Sequence, residues 1–195
     1  MTGPDLDRDA VAAFVVGRLD PRGEAALAEQ VAWLVAQTGP MPTAHAEALT
    51  QLIHRLGGED SLLAWLDRFP GRPRLVARLV ALTGLLDQYS SRPAVVTALR
   101  RLRGRSPYPP DLENYLPAEV DGATLADLGG EIHLLLADDA LAEATRVALA
   151  AMALLAELAP AAAAHDPDVG ELGATAGRIR HAIWQAGAEA PDLGR

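Results

Sequence analysis

Half of this 195-residue chain is hydrophobic but only 4% is aromatic, so its core must be built from Ala, Leu and Val, over a length that needs no covalent staples. It has no cysteine, and all 17 of its basic residues are arginine, which excludes disulfides, thiolate metal sites, cysteine nucleophiles, Schiff-base lysines and the P-loop lysine. A net charge of −9 argues against nucleic acid as the partner.

Arginine in place of lysine, with so much Ala, Gly and Pro, is the usage of a GC-rich genome of the actinobacterial kind. The N-terminus MTGPDLDRD lacks the basic-then-apolar order of a signal peptide. The longest uncharged run of the most apolar stretch, Val147–Ala156, is ten residues, against the roughly 20 that a bilayer requires. The expectation is a cytoplasmic protein with no membrane partner.

In chain order, a first helix is predicted over 7–19, with Val11, Phe14, Val15 and Leu19 inward. Asp20-Pro21 is a cap followed by proline at the first helical position, and starts a second helix that runs to Thr38. After the Gly39-Pro40-Met41-Pro42 turn, Thr43 caps a third helix, 44–56, stopped by Gly57-Gly58. A fourth, 60–69, ends at Pro70-Gly71. The fifth, 73–89, carries Leu75, Leu79, Leu82 and Leu86 at 3-4 spacing, a seam for a partner helix or a second copy of the chain. Pro93 opens a sixth that ends near Gly104. Residues 105–121, with four prolines, form a long loop of the kind that serves as lid, binding loop or linker, and mark a weak candidate subdivision of one domain spanning 1–195.

A seventh helix is predicted over 124–137, with Thr124 and Asp127 as a capping box. The stretch 139–159 is apolar around most of its circumference and reads as a central helix with neighbours on several sides, ending at Pro160. A last helix, 167–187, sets Gly170, Gly173 and Gly177 on one face with Ala174, His181 and Trp184, a surface suited to close approach. No window alternates as a half-buried strand does, so the fold class is all-α: a compact bundle of eight or nine helices around 139–159.

Charge divides unevenly. Residues 1–106 hold 13 Arg against 11 acids, and residues 107–195 hold 4 Arg against 15. The basic region is 67–105, where Arg74 and Arg78 share one helix face and Arg100 and Arg103 another; guanidinium clusters suit phosphate, carboxylate or an acidic protein. The same cluster reads equally as a solvated face, or as the internal counterpart of the acidic second part. Among the histidines, His45 lies on the stripe of Leu49, Leu52 and Leu56, His133 on the seventh helix and His181 on the glycine face. Each has the chemistry of a general acid/base, or of a buried side chain with one hydrogen-bond partner. Tyr108 and Tyr115 in the proline-rich loop could orient a ligand or pin the loop. Met152 and Trp184 are the apolar side chains expected at a cavity.

Asp138-Asp139-Ala-Leu-Ala-Glu143 spells DDxxxE, which resembles the aspartate-rich motif of isoprenoid cyclases and synthases. The resemblance implies Asp138, Asp139 and Glu143 as magnesium ligands; the family's second, Asn/Ser-containing motif is missing, and acids at a helix start also serve capping and the helix dipole. No other metal, nucleotide or triad motif occurs, and none indicates a cofactor. The reading is a helical bundle that binds a small apolar or anionic molecule or a partner helix. Its rivals are a cofactor-free cyclase, isomerase or dehydratase working through His45, His133 or His181, and a protein-interaction module with an Arg-rich face.

Overall fold

Two long helices packed side by side, one of them the apolar central stretch, organise the computed structural model, which describes residues 5–37, 40–102, 122–169 and 171–189. Among the described residues the fold is all-α, with nine α-helices and no strand. They are α1 (Arg8–Val15), α2 (Pro21–Ala36), α3 (Thr43–Leu56), α4 (Glu59–Leu66), α5 (Arg72–Ser90), α6 (Pro93–Leu102), α7 (Gly122–Ala137), α8 (Leu141–Ala163) and α9 (Leu172–Ala188).

The starts of α1 and α2 are each capped by a side chain, and Thr124, expected as a cap, lies inside α7. Asp7 accepts from the backbone N–H groups of Asp9 and Ala10, and Asp20 from Gly23, so each caps the helix after it. Thr43 does not cap α3. It is the first helical residue, Pro42 takes the cap position, and no side chain bonds the free N–H groups there. α3 ends where expected, because Gly57 adopts φ 96°, a left-handed conformation that a side chain would strain.

α8 differs from expectation at both ends. Asp139 is not helical, and the helix runs through Pro160 to Ala163. A proline inside a helix removes one N–H and crowds the preceding turn. Here the ring is exposed and the helix continues over alanines, the best helix formers, of which Ala162 is completely buried. At 23 residues α8 is long and apolar enough to cross a membrane, yet just over half of its most apolar window, 56%, is buried against the rest of the bundle, which is also what a core helix looks like. Its neighbours are α9, α7 and α6.

The leucine seam of α5 is covered by its own chain. Leu75, Leu79, Leu82 and Leu86 are all buried, with α7, α2 and α9 packed around the helix. The seam expected to face a partner is therefore internal: 3-4 leucine spacing marks a packed helix, and only the tertiary arrangement says by what. One continuous core draws on residues from both sides of 105–121.

α9 lies antiparallel to α8. A Cβ at Gly173 would come within 3.1 Å of the Ala159 side chain, and one at Gly187 within 3.4 Å of Thr145. Those two near-contacts fix the register, so Arg180 stands opposite Met152 and Trp184 opposite Ala148. Gly173 and the alanines of α8 thus make the close approach expected of the small-residue face. Gly177, on the same face, meets open space.

Candidate functional site

The arginines of α5 are matched inside the protein. Arg74 donates from Nε to the Asp67 carbonyl at 2.9 Å and from Nη1 to Glu189 Oε2 at 2.5 Å. Arg78 donates from Nε to Asp67 Oδ1 at 2.7 Å and from Nη1 to the Ala182 carbonyl. Arg72 donates to Asp139 Oδ1 at 2.6 Å, and Arg92 lies 3.7 Å from Asp166. Glu189, Asp139 and Asp166 all belong to the acidic second part, so these pairs tie the two parts of the chain together. Beside Arg72, burial pushes the Glu29 carboxyl above its usual range, and the guanidinium offsets this only in part. Arg100 is exposed on α6, and Arg103, Tyr108 and Tyr115 lie outside the described residues.

The three singled-out histidines have separate surroundings. His45 is 3.5 Å from the exposed Asp5 carboxylate, on α3, which packs against α1 and α4. His181 is exposed on α9, its ring stacked on Trp184 at 6.2 Å between centroids. His133 is half-buried between α7 and α5, with Nε2 2.9 Å from Thr83 Oγ1.

The Thr83 hydroxyl donates to the Val80 carbonyl at 2.8 Å, so it can only accept from His133. With that hydroxyl proton on the carbonyl, the tautomer expected of His133 is Nε2–H, with Nδ1 as its lone pair. Burial pushes its pKa below the ordinary 6.5. The unfolded chain then takes the proton first, so this contribution to stability is whole above pH 6.5 and is lost as pH falls through the lower folded value. Nitrogen-15 histidine spectra are expected to show Nε2 protonated and a titration midpoint below 6.5 for His133; an Nδ1–H tautomer would contradict the assignment.

The acids of DDxxxE do not share a helix face. α8 begins at Leu141 with Ala140 at its cap position, and Asp139 sits in the preceding turn at φ 63°. Asp139 is paired with Arg72, and Glu143 with Arg146. Asp138 is exposed, and among the described residues no three His, Cys, Asp or Glu side chains come together to hold a metal ion. The expected geometry of carboxylates one turn apart is absent because the turn, not the helix, holds two of the three.

A cleft of about 390 Å³ runs along the α8–α9 seam. α8 contributes Ala142, Thr145, Arg146, Leu149, Ala150 and Ala153, and α9 contributes Arg180. Residues 173, 177, 180, 184 and 187 fall at helical spacing on one edge of α9, so Trp184 lies on the strip that carries Arg180, between the two points where α9 touches α8. Trp184 is 60% exposed. Met152, by contrast, is completely buried in the core and does not reach the cleft.

Most of these lining residues were not singled out from the sequence. Arg146, Ala150 and Ala153 share one strip of the central helix, which the spacing alone does not mark as a site. Arg180 carried a usable signal, as an arginine one turn before an exposed-type tryptophan in a stretch with only four arginines.

Two smaller clefts lie elsewhere, the first of them mainly polar. One of about 220 Å³ lies between α1 and α3, lined by Arg8, Asp9, Glu47 and Gln51 among others. The other, about 360 Å³, is formed by Pro93, Ala94 and Thr97 of α6 with His165 and Asp166. The last helix, expected from 167, starts only at Leu172, after a 3₁₀ turn over Pro167–Val169. None of these three clefts is lined by His45, His133 or His181. Compared with known protein families, with curated proteins and with solved structures, the chain matches none of them.

Proposed function

We propose that this chain is a ligand-binding helical bundle whose α8–α9 cleft takes up a small molecule with an apolar body. The observation that carries the reading is a largely apolar cleft of about 390 Å³ along the α8–α9 seam, with the 60% exposed Trp184 one turn beyond its Arg180 on the same strip of α9. That volume falls within the range of small-molecule sites. At roughly 30 Å³ per non-hydrogen atom, the share a water takes in the liquid, it holds about a dozen atoms. A partner helix, with a diameter of about 10–12 Å, is too wide to be taken into such a space. The acid/base enzyme reading has less support, because the three histidines have separate neighbours. The Arg-face reading loses Arg74 and Arg78 to internal ion pairs.

Titration with 1-octanol, followed in amide ¹H–¹⁵N spectra, tests the proposal. Saturable shifts are expected at Thr145, Leu149, Ala153 and the Trp184 indole. Filling the cleft with Ala153→Phe is expected to weaken binding at least tenfold while the helical circular dichroism stays unchanged. Shifts scattered over other helices, or an Ala153→Phe protein that binds as tightly as the wild type, would overturn it.

A further inference from the structure

We infer that the ligand of the α8–α9 cleft is a monoanion, its head on Arg180 and its apolar chain laid along α8 toward Ala142; this rests on the reading of the cleft just given. Arg72, Arg74, Arg78, Arg92 and Arg146 each face a carboxylate within ion-pair distance. Arg180, among the described residues, has neither an ion pair nor a hydrogen bond. Glu157, exposed one turn beyond Ala153 on α8, makes no ion pair with it.

Exposed arginines elsewhere, Arg22 and Arg100 for example, are unpaired too among the described residues, so what sets the exposed Arg180 apart is its place in a cleft. Residues 107–195 carry 15 acids and only four arginines, and two of those four line this one cleft. In so acidic a stretch a nearby carboxylate is the default partner for a guanidinium, and Arg180 is left without one where the apolar lining ends.

The two arginines also give the cleft a polarity. Arg146 pairs with Glu143, whereas Arg180 meets no carboxylate among the described residues. The register places Arg180 opposite Met152, at the Ala153 end, so the anion belongs there. From Ala153 back to Ala142 the helix offers about 16 Å of shelf at 1.5 Å per residue. A guanidinium presents a planar fork that two carboxylate oxygens can meet together, and it holds its charge at any working pH. The chemistry that fits is a linear or single-ring carboxylate of about a dozen non-hydrogen atoms.

The test compares octanoate, 1-octanol and octylammonium, which share one apolar chain and differ in charge, against the wild type, Arg180→Gln and Arg146→Gln. Octanoate is expected to bind the wild type about tenfold more tightly than octanol, with octylammonium weakest. Arg180→Gln is expected to abolish the preference for octanoate over octanol, and Arg146→Gln to leave a preference in place. If octanol binds as tightly as octanoate, or octylammonium binds best, the anion inference falls while the cleft reading stands. If the preference vanishes in Arg146→Gln and survives in Arg180→Gln, the polarity is reversed and the inference fails. If none of the three shifts the cleft residues, the reading and the inference fall together.

Discussion

Replacing Leu155 by alanine is expected to lower the free energy of unfolding by about 3–5 kcal/mol, a large part of the roughly 5–15 kcal/mol available to a domain of this kind. Leu155 has no exposed surface, on a helix packed against α9, α7 and α6. Truncation there removes apolar contacts and leaves a void that three rigid neighbours cannot close. Leu149, two turns earlier on the same helix, supplies the control. It is only partly buried, at the open cleft, so a methyl group there leaves a space that solvent can enter. Leu149→Ala is expected to cost about 1 kcal/mol. Urea unfolding checks both, with the Leu155→Ala midpoint well below that of Leu149→Ala at an unchanged slope. Equal losses would mean that α8 is not the centre of the core.

Asp139 is expected to tolerate glycine better than alanine. α7 ends in a Schellman arrangement: the Ala140 N–H donates to the Leu135 carbonyl at 2.8 Å, and the Asp139 N–H to Leu136 at 3.2 Å. Asp139 occupies the left-handed position usually taken by glycine, at φ 63°. Holding a side chain there costs about 1–2 kcal/mol, and what it obtains in return is the ion pair with Arg72. The Arg72 side chain is 13% exposed and its Nε is buried without a partner, so removing the carboxylate leaves a largely desolvated guanidinium with Glu29 as its nearby anion. Asp139→Ala keeps the strain and loses the pair, for an expected cost of about 2 kcal/mol. Asp139→Gly loses the pair but relieves the strain, and is expected to cost at least about 1 kcal/mol less. Thermal and urea unfolding of the two variants beside the wild type decide it, and glycine proving no better than alanine would show that the turn carries no strain.

The two variants probe different kinds of contact. Leu155 belongs to a pattern repeated along the sequence, whereas the value of Asp139 depends on a residue 67 positions away. The same division runs through the candidate site. Trp184 and His181 were legible as a pair on one face of the last helix, and they stack. Arg180 became meaningful only once α9 was laid antiparallel on α8, because that contact brings it to Leu149 and Ala153 and leaves it without a carboxylate. Arg74 and Arg78 show the reverse. Their shared face suggested an anion site, and the anions turn out to be Asp67 and Glu189 of the same chain.

By itself the sequence determined the fold class, most helix positions and the buried faces of helices such as α2, α5 and α8, though not of α9, which buries Leu172, Ala176, Ile183 and Ala186 rather than the face of His181 and Trp184. Those are properties of local spacing: apolar residues three and four apart, an acid before a proline, a glycine after the last turn. Tertiary structure decided which helices meet, and with it everything relational. The α5 leucines face α7 and α2 of their own chain; α8 runs on through Pro160 because Ala162 is buried; two acids of DDxxxE sit in a turn held by Arg72. Spacing along one helix reports the angle at which a side chain leaves it. Whether that side chain meets a carboxylate, a core or an open cleft depends on the docking of another helix, whose free energy is spread over dozens of weak contacts and written in no short stretch of residues.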